Sequence, residues 1–237
     1  MRVIQTKHGL RLSQHGVVIS ELRTSPGPTH SVFDVLAALL VLLRPARRSG
    51  VLGFAGGGML APLQALGMKS LFATVDLDQA SYDLFCRHCP DWVAAVQWQR
   101  ADAVQWLKRQ TGKFDLLMDD LSVPRAGDVV KPDICWRVVP DLMRQRLKPG
   151  GVAVFNLMSP PGGRWPIGLA QVTQPFQAAR IIHLDDFENR IVIAGTDLPS
   201  ARELGLRLRK LLRQLRSRQA GRLQVRNLRL ADLVAET

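Results

Sequence analysis

Long apolar runs are missing from this sequence. The longest, 35–43, has nine residues, whereas a transmembrane helix needs about 20, so no membrane span is expected. The first residues also lack the apolar core of a secretory leader, which sets the expectation of a cytoplasmic protein. Cysteine is scarce. Cys86, Cys89 and Cys135 are an odd set, which argues against a disulfide framework. Cys86 and Cys89 have metal-like spacing, but a structural zinc site needs four ligands and usually a second pair, so no metal is expected. Acids are the third shortage. Against 32 Lys and Arg there are 20 Asp and Glu, a net charge of +12. Such an excess implies an acidic partner, nucleic acid or a membrane surface, or else a solvated Arg-rich face. No internal repeat or low-complexity tract is present.

What is there reads as an α/β protein. A hydrophobic share of 46% over 237 residues supports one sizeable core. Short apolar segments at 10–12 and 17–19 flank a turn at Gln14-His15-Gly16 and suggest an N-terminal β-hairpin. Ser25-Pro26-Gly27-Pro28 breaks the chain, and Ser31 can cap a helix reaching Leu43. Strands at 51–54, 70–75, 96–99, 114–118 and 152–157 then alternate with helices at 59–66, 79–87, 103–109 and 134–146. That alternation predicts a parallel sheet covered on both faces, with every strand's carboxyl end on one edge. Strands at 179–184 and 190–194 are joined by five residues only, which makes them an antiparallel hairpin. Three segments follow: a 1–30 extension, a 31–198 domain, and a 199–237 basic helix and tail.

The sheet edge collects the residues of interest. Gly53, Ala55, Gly56 and Gly57 stand where the first strand meets its helix, where glycine permits a tight turn and close approach of a ligand. In dinucleotide-binding folds a carboxylate about 20 residues further on accepts ribose hydroxyls; Asp76 lies 19 residues after Gly57. Asp78 reads as a helix cap. Asp102 follows the third strand, and Asp119 and Asp120 end the fourth. Carboxylates at successive strand ends converge on one cleft.

The glycine block, Val75-Asp76-Leu77-Asp78, Ala101-Asp102-Ala103, the run Phe114 through Asp120, and Leu147-Lys148-Pro149-Gly150-Gly151 stand in an order that resembles spermidine synthases and related methyltransferase-like proteins. The resemblance covers roughly residues 30 to 195. It implies the Rossmann-like class I methyltransferase fold: a mainly parallel seven-stranded sheet, helices on both faces and a C-terminal antiparallel hairpin. It also implies S-adenosylmethionine (SAM) or decarboxylated SAM as cofactor. Gly56 and Gly57 would flank its methionine part, Asp76 would take the ribose and Asp102 the adenine amino group, with Gly53, Ala55, Leu77 and Ala103 beside them. Asp120, or its neighbour Asp119, would be the catalytic carboxylate next to the sulfonium. The N-terminal hairpin would pair in a homodimer, as in the synthases.

Two departures bear on the acceptor. The synthases carry an acid inside the glycine loop, where this chain has Gly58, and a second aspartate where it has Val123. A diamine needs carboxylates to neutralise it; here the following loop holds Arg125 and Lys131, with Asp128 and Asp133 as its only acids. A methyltransferase is therefore the leading reading, a polyamine aminopropyltransferase the alternative, and a non-catalytic SAM-fold binding module a third. A nicotinamide dehydrogenase would require glycine at Ala55. Finally, residues 200–230 hold ten Lys or Arg and one acid, Glu203. Leu204, Leu208, Leu211 and Leu215 form a helical stripe there, and no aromatic residue interrupts the charge, so any nucleic-acid contact is expected through phosphates.

Overall fold

The computed structural model describes residues 2–7, 9–14, 16–43, 48–68, 71–125 and 127–228. The turn residue His15, the first residue of the 70–75 strand and residues 229–237 of the basic tail lie outside them.

At the start, β1 (Arg2–Thr6), β2 (Gly9–Gln14) and β3 (Val17–Arg23) form a three-stranded antiparallel sheet, so the expected hairpin has one strand more. Leu10, Leu12 and Leu22 are buried, whereas Val3 and Ile4 of β1 face solvent. Helix α1 (Val32–Leu43) comes next, buried along nearly its whole length. Asp34 in its first turn accepts the N–H of Thr29 and of His30, which fixes the approach to the helix.

The main sheet has eight strands. Five are parallel neighbours: β4 (Ser49–Leu52), β5 (Phe72–Asp76), β6 (Val96–Arg100), β7 (Phe114–Asp119) and β10 (Leu147–Leu157). A small separate pair, β8 (Val123–Arg125) and β9 (Asp128–Val130), sits after β7. The hairpin of β11 (Ala178–Leu184) and β12 (Phe187–Gly195) then joins antiparallel, with β12 against β10. Beyond the seven expected strands, β13 (Leu223–Leu228) pairs antiparallel with β11, giving the order β13-β11-β12-β10-β7-β4-β5-β6.

Crossover helices separate the core into two layers because successive strand residues face opposite sides. Leu116, Met118, Val152 and Val154 meet α1, α2 (Leu60–Ala65) and the C-terminal helix on one face. Leu117, Ala153, Phe155 and Leu157 face α4 (Ala103–Arg109), α5 (Ile134–Arg137), α6 (Val139–Arg146) and α7 (Trp165–Thr173) on the other. Helix α3 (Gln79–His88) connects β5 to β6. The long helix expected over 134–146 is broken at Val138. Pro140 has no N–H to donate into the preceding turn, so the chain restarts there as the new helix α6, with Pro140 in its first turn.

The basic segment is a helix as expected, α8 (Ala201–Gln214), with Ser200 accepting the Glu203 N–H as its N-cap. It buries Leu204, Leu208, Leu212 and Leu215, while Leu211 lies half out; the stripe therefore turns slightly from the one read in the sequence. Arg216 at φ 59° ends the helix and sends the chain back as β13.

Candidate active site

The glycine loop and the end of β7 cross at the carboxyl edge of the sheet. Gly53 leaves β4 at φ 88°, and a Cβ there would stand 2.7 Å from the Asp120 carbonyl oxygen. Any side chain would push the two segments apart, so glycine is required twice over, by conformation and by contact. The Gly53 N–H donates to the Val75 carbonyl at 2.9 Å, and the Asp120 N–H to that of Leu52 at 2.8 Å. These bonds lock the loop, the end of β5 and the end of β7 into one frame.

Asp76 governs that frame. Its Oδ2 accepts the N–H groups of Phe54 and Ala55, each at 2.7 Å, and its Oδ1 accepts the Asp78 N–H at 2.9 Å. A carboxylate has about four acceptor positions, so one on Oδ1 remains for a ligand hydroxyl. Ala55 is held at φ 45°, a conformation that costs a non-glycine residue of order 1–3 kcal/mol and that the Asp76 bonds maintain. Gly56 and Gly57 are buried. The Leu12 side chain would lie 2.5 Å from a Cβ on Gly56, and the Phe33 ring 2.8 Å from one on Gly58. A side chain at Gly58 would therefore have to displace the Phe33 ring of α1.

Beyond Asp76, the Leu77 side chain is 65% exposed on the edge. Asp78 caps α3 through the Ser81 N–H and hydroxyl, as expected. Asp102 is exposed and accepts the Gln105 N–H at 2.9 Å as the cap of α4, with Ala103 buried behind it.

The two neighbouring aspartates have different surroundings. Asp119 is fully buried, and its Oδ1 lies 2.9 Å from the equally buried Lys131 Nζ. The same oxygen accepts the Leu121 N–H at 3.0 Å and faces the Cys135 thiol at 3.8 Å. Burial disfavours the charge on Lys131, but Asp119, Cys135 and Asp120 together outweigh it and hold the ammonium above its ordinary pKa. Burial pushes the Cys135 thiol up, assisted by Asp119. Lys131, read in the sequence as a loop cation turned toward an acceptor, is instead neutralised inside the protein. The loop feature that does reach solvent is the β8–β9 hairpin, with Val123 42% exposed and Arg125 exposed.

Asp120 is half-buried and accepts the Asn156 amide at 2.7 Å; the Asn156 oxygen in turn accepts the Asn189 amide at 3.0 Å. Burial pushes the Asp120 carboxyl up to about 6. The Asn156 hydrogen bond and the Lys131 charge oppose the rise, while Asp119 and Asp76 add to it. A carboxyl poised there can take a proton near neutral pH. Asn156 and Asn189 were not singled out in the sequence. The available signal was a polar residue, Asn156, interrupting the otherwise apolar run Val152–Leu157.

The donor set fits an adenosyl sulfonium group. Acceptor oxygens on Asp76 and Asp102 suit hydroxyl and amine donors, exposed Leu77 offers an apolar face for a base, and the carboxylate of Asp120 suits a nearby cation. Parallel strands closed by an antiparallel β12, with a glycine loop and acids at the carboxyl edge, define the class I SAM-dependent methyltransferase type of fold, to which spermidine synthases also conform.

Solved structures agree. A probable spermidine synthase from Corynebacterium glutamicum superposes with a TM-score of 0.73 at 18% identity, over 99% of this chain and 88% of its own. Human methyltransferase-like protein 13, in complex with SAH, gives 0.61 at 20% identity over 79% and 92%. A spermidine synthase in complex with the transition-state analogue AdoDATO gives 0.64 at 13% over 84% and 74%. No family model matches the chain, and no curated protein does.

Proposed function

We propose that the chain is a SAM-dependent transferase of the spermidine-synthase-like type, acting as a methyltransferase. The observation that carries this is the crossing of Gly53 with Asp120. It joins a ligand-approach loop, held by Asp76, to a carboxyl with a pKa near 6. Bound at this edge, SAM supplies an electrophilic methyl group. Asp76 would hold the ribose, Asp102 the adenine amino group, and Leu77 and Ala103 the base, with Gly53, Ala55, Gly56 and Gly57 lining the remainder. Asp120 would orient the acceptor's nucleophile and take its proton, while the Asn156–Asn189 pair fixes the carboxylate. Asp119, committed to Lys131, would serve as a support for the β7 end instead.

An aminopropyltransferase using decarboxylated SAM is the second reading. It is favoured by the full-length match to the probable spermidine synthase, N-terminal sheet included. Exposed Val123 weighs against a polyamine acceptor. Calorimetric titration with SAM, decarboxylated SAM and methylthioadenosine separates the two.

Partner binding draws support from two surfaces. The α8 face bears Arg202, Arg207, Lys210 and Arg213 in solvent, with Arg216 just beyond its end, which suits a nucleic acid. The exposed Val3 and Ile4 of β1 suit a homodimer. No helix among the described residues is long and apolar enough to cross a membrane; we take the cytoplasm as the working location.

A further inference from the structure

A cavity of about 180 Å³ opens between α5 and α7, lined by Asp133, Trp136, Arg137, Arg164, Ile167 and Gln171, among others. Both walls belong to the active edge. Helix α5 follows the loop that leaves the carboxyl end of β7, where Asp120 stands, and α7 follows the carboxyl end of β10. The link is also physical. Trp136 meets Trp165 edge-on at 6.4 Å, and the Arg190 guanidinium lies 3.9 Å above the Trp165 ring. Arg190 pairs with Leu157 in the sheet, next to the Asn156 and Asn189 that hold Asp120.

The lining has a definite chemistry. Arg137 and Arg164 are exposed at the mouth, and neither guanidinium has an ion-pair or hydrogen-bond partner among the described residues. Guanidinium forks match carboxylate and phosphate oxygens. Trp136 is only 2% exposed, yet its indole N–H has no partner among the described residues, which is uncommon for a buried donor. Gly168 lets that ring sit close, since a Cβ there would be 2.7 Å from it. A dry cavity of about 150 Å³ accepts one benzene ring, so this one has room for a ring with a small head group. Asp133 is the single acid against two arginines.

We propose that this cavity binds a compact, ring-sized group carrying a carboxylate or phosphate, and that it is the acceptor subsite of the enzyme. As an acceptor subsite it rests on the transferase reading; as an anion-binding cavity it does not. It makes the acceptor the electrostatic opposite of a diamine, in keeping with Val123 and the surplus of positive charge.

The test is calorimetric titration of the full chain with phenyl phosphate, benzoate and benzylamine, at low salt. Parallel titrations use the Arg137→Gln/Arg164→Gln variant, whose two side chains are in solvent and should leave the melting temperature unchanged. Phenyl phosphate or benzoate should bind the parent and lose at least tenfold in the variant, and the stronger of the two identifies the head group. Benzylamine should bind more weakly than both. No anion binding, equal anion affinity in parent and variant, or preferred binding of benzylamine would overturn the proposal. SAM titrated into the same two proteins keeps the failures apart. Anion binding without SAM binding removes the transferase reading and leaves the cavity, and SAM binding without anion binding does the reverse.

Discussion

Lys131 Nζ lies 2.9 Å from Asp119 Oδ1 with both side chains closed off from solvent. The bond ties the end of the β8–β9 segment to the end of β7, one residue from Asp120. A buried pair of this kind contributes little relative to an apolar pair, but breaking it strands a charge. Lys131→Met should therefore cost about 3–5 kcal/mol. The double change Lys131→Met/Asp119→Asn should cost clearly less. Urea denaturation of the parent and both variants measures this; equal losses would show that the ion pair is not what holds the segment.

Asp120 gives a pH dependence. Its folded pKa, about 6, is above the ordinary carboxyl value of 3.8. The folded state therefore holds a proton that the unfolded state has released between those two values, so this group's contribution to stability falls as pH rises from about 4 to about 6. For turnover the sign is opposite, since the base works when ionised. The rate should climb through an apparent pKa near 6 and level off above it. Asp120→Asn should flatten that limb and lower kcat about 100-fold or more, a larger effect than on SAM affinity. A retained limb in the variant would assign the base elsewhere.

Gly53 and Gly67 both have positive φ, 88° and 77°, but only the first faces backbone; nothing lies within 4 Å of a Cβ on Gly67. Gly67→Ala should cost about 1–2 kcal/mol for conformation alone. Gly53→Ala must also displace the Asp120 carbonyl and should exceed about 3 kcal/mol. Thermal unfolding of the pair checks the crossing. Similar losses would mean that the two segments can part freely.

The basic helix is testable without removing it. Truncation after Pro199 would strip α8 from the core and β13 from β11, so substitution is required. Lys210, Arg213 and Arg216 are exposed. Changing all three to Gln should weaken binding to single-stranded RNA and reduce the salt slope by about 2. An unchanged slope would exclude this face from phosphate contact.

Much of this was legible in the sequence because it rests on local rules. The strand–helix alternation, the Asp78 cap and the stripe on α8 are written in periodicity and spacing. The edge series Asp76, Asp102 and Asp120 followed from placing acids at strand ends. What was not legible depends on contacts distant in the chain. Asp119 and Asp120 look alike in sequence; the buried Lys131 against the first and the Asn156 amide against the second separate them. β13 is polar along much of its length and becomes a strand because β11 offers an unpaired edge. The break at Val138 was signalled by Pro140 and missed under an otherwise helical pattern.

The central claim is that an adenosyl group binds on the edge beside Leu77, and the most direct measurement is the calorimetric affinity of SAM for the parent and for Leu77→Arg. Because that side chain is 65% exposed and lies outside both core layers, the substitution should leave the melting temperature alone. The account predicts that SAM binds the parent and loses at least tenfold in the variant, about 1.4 kcal/mol. Absence of binding to the parent, or equal affinity in the two proteins, would contradict it.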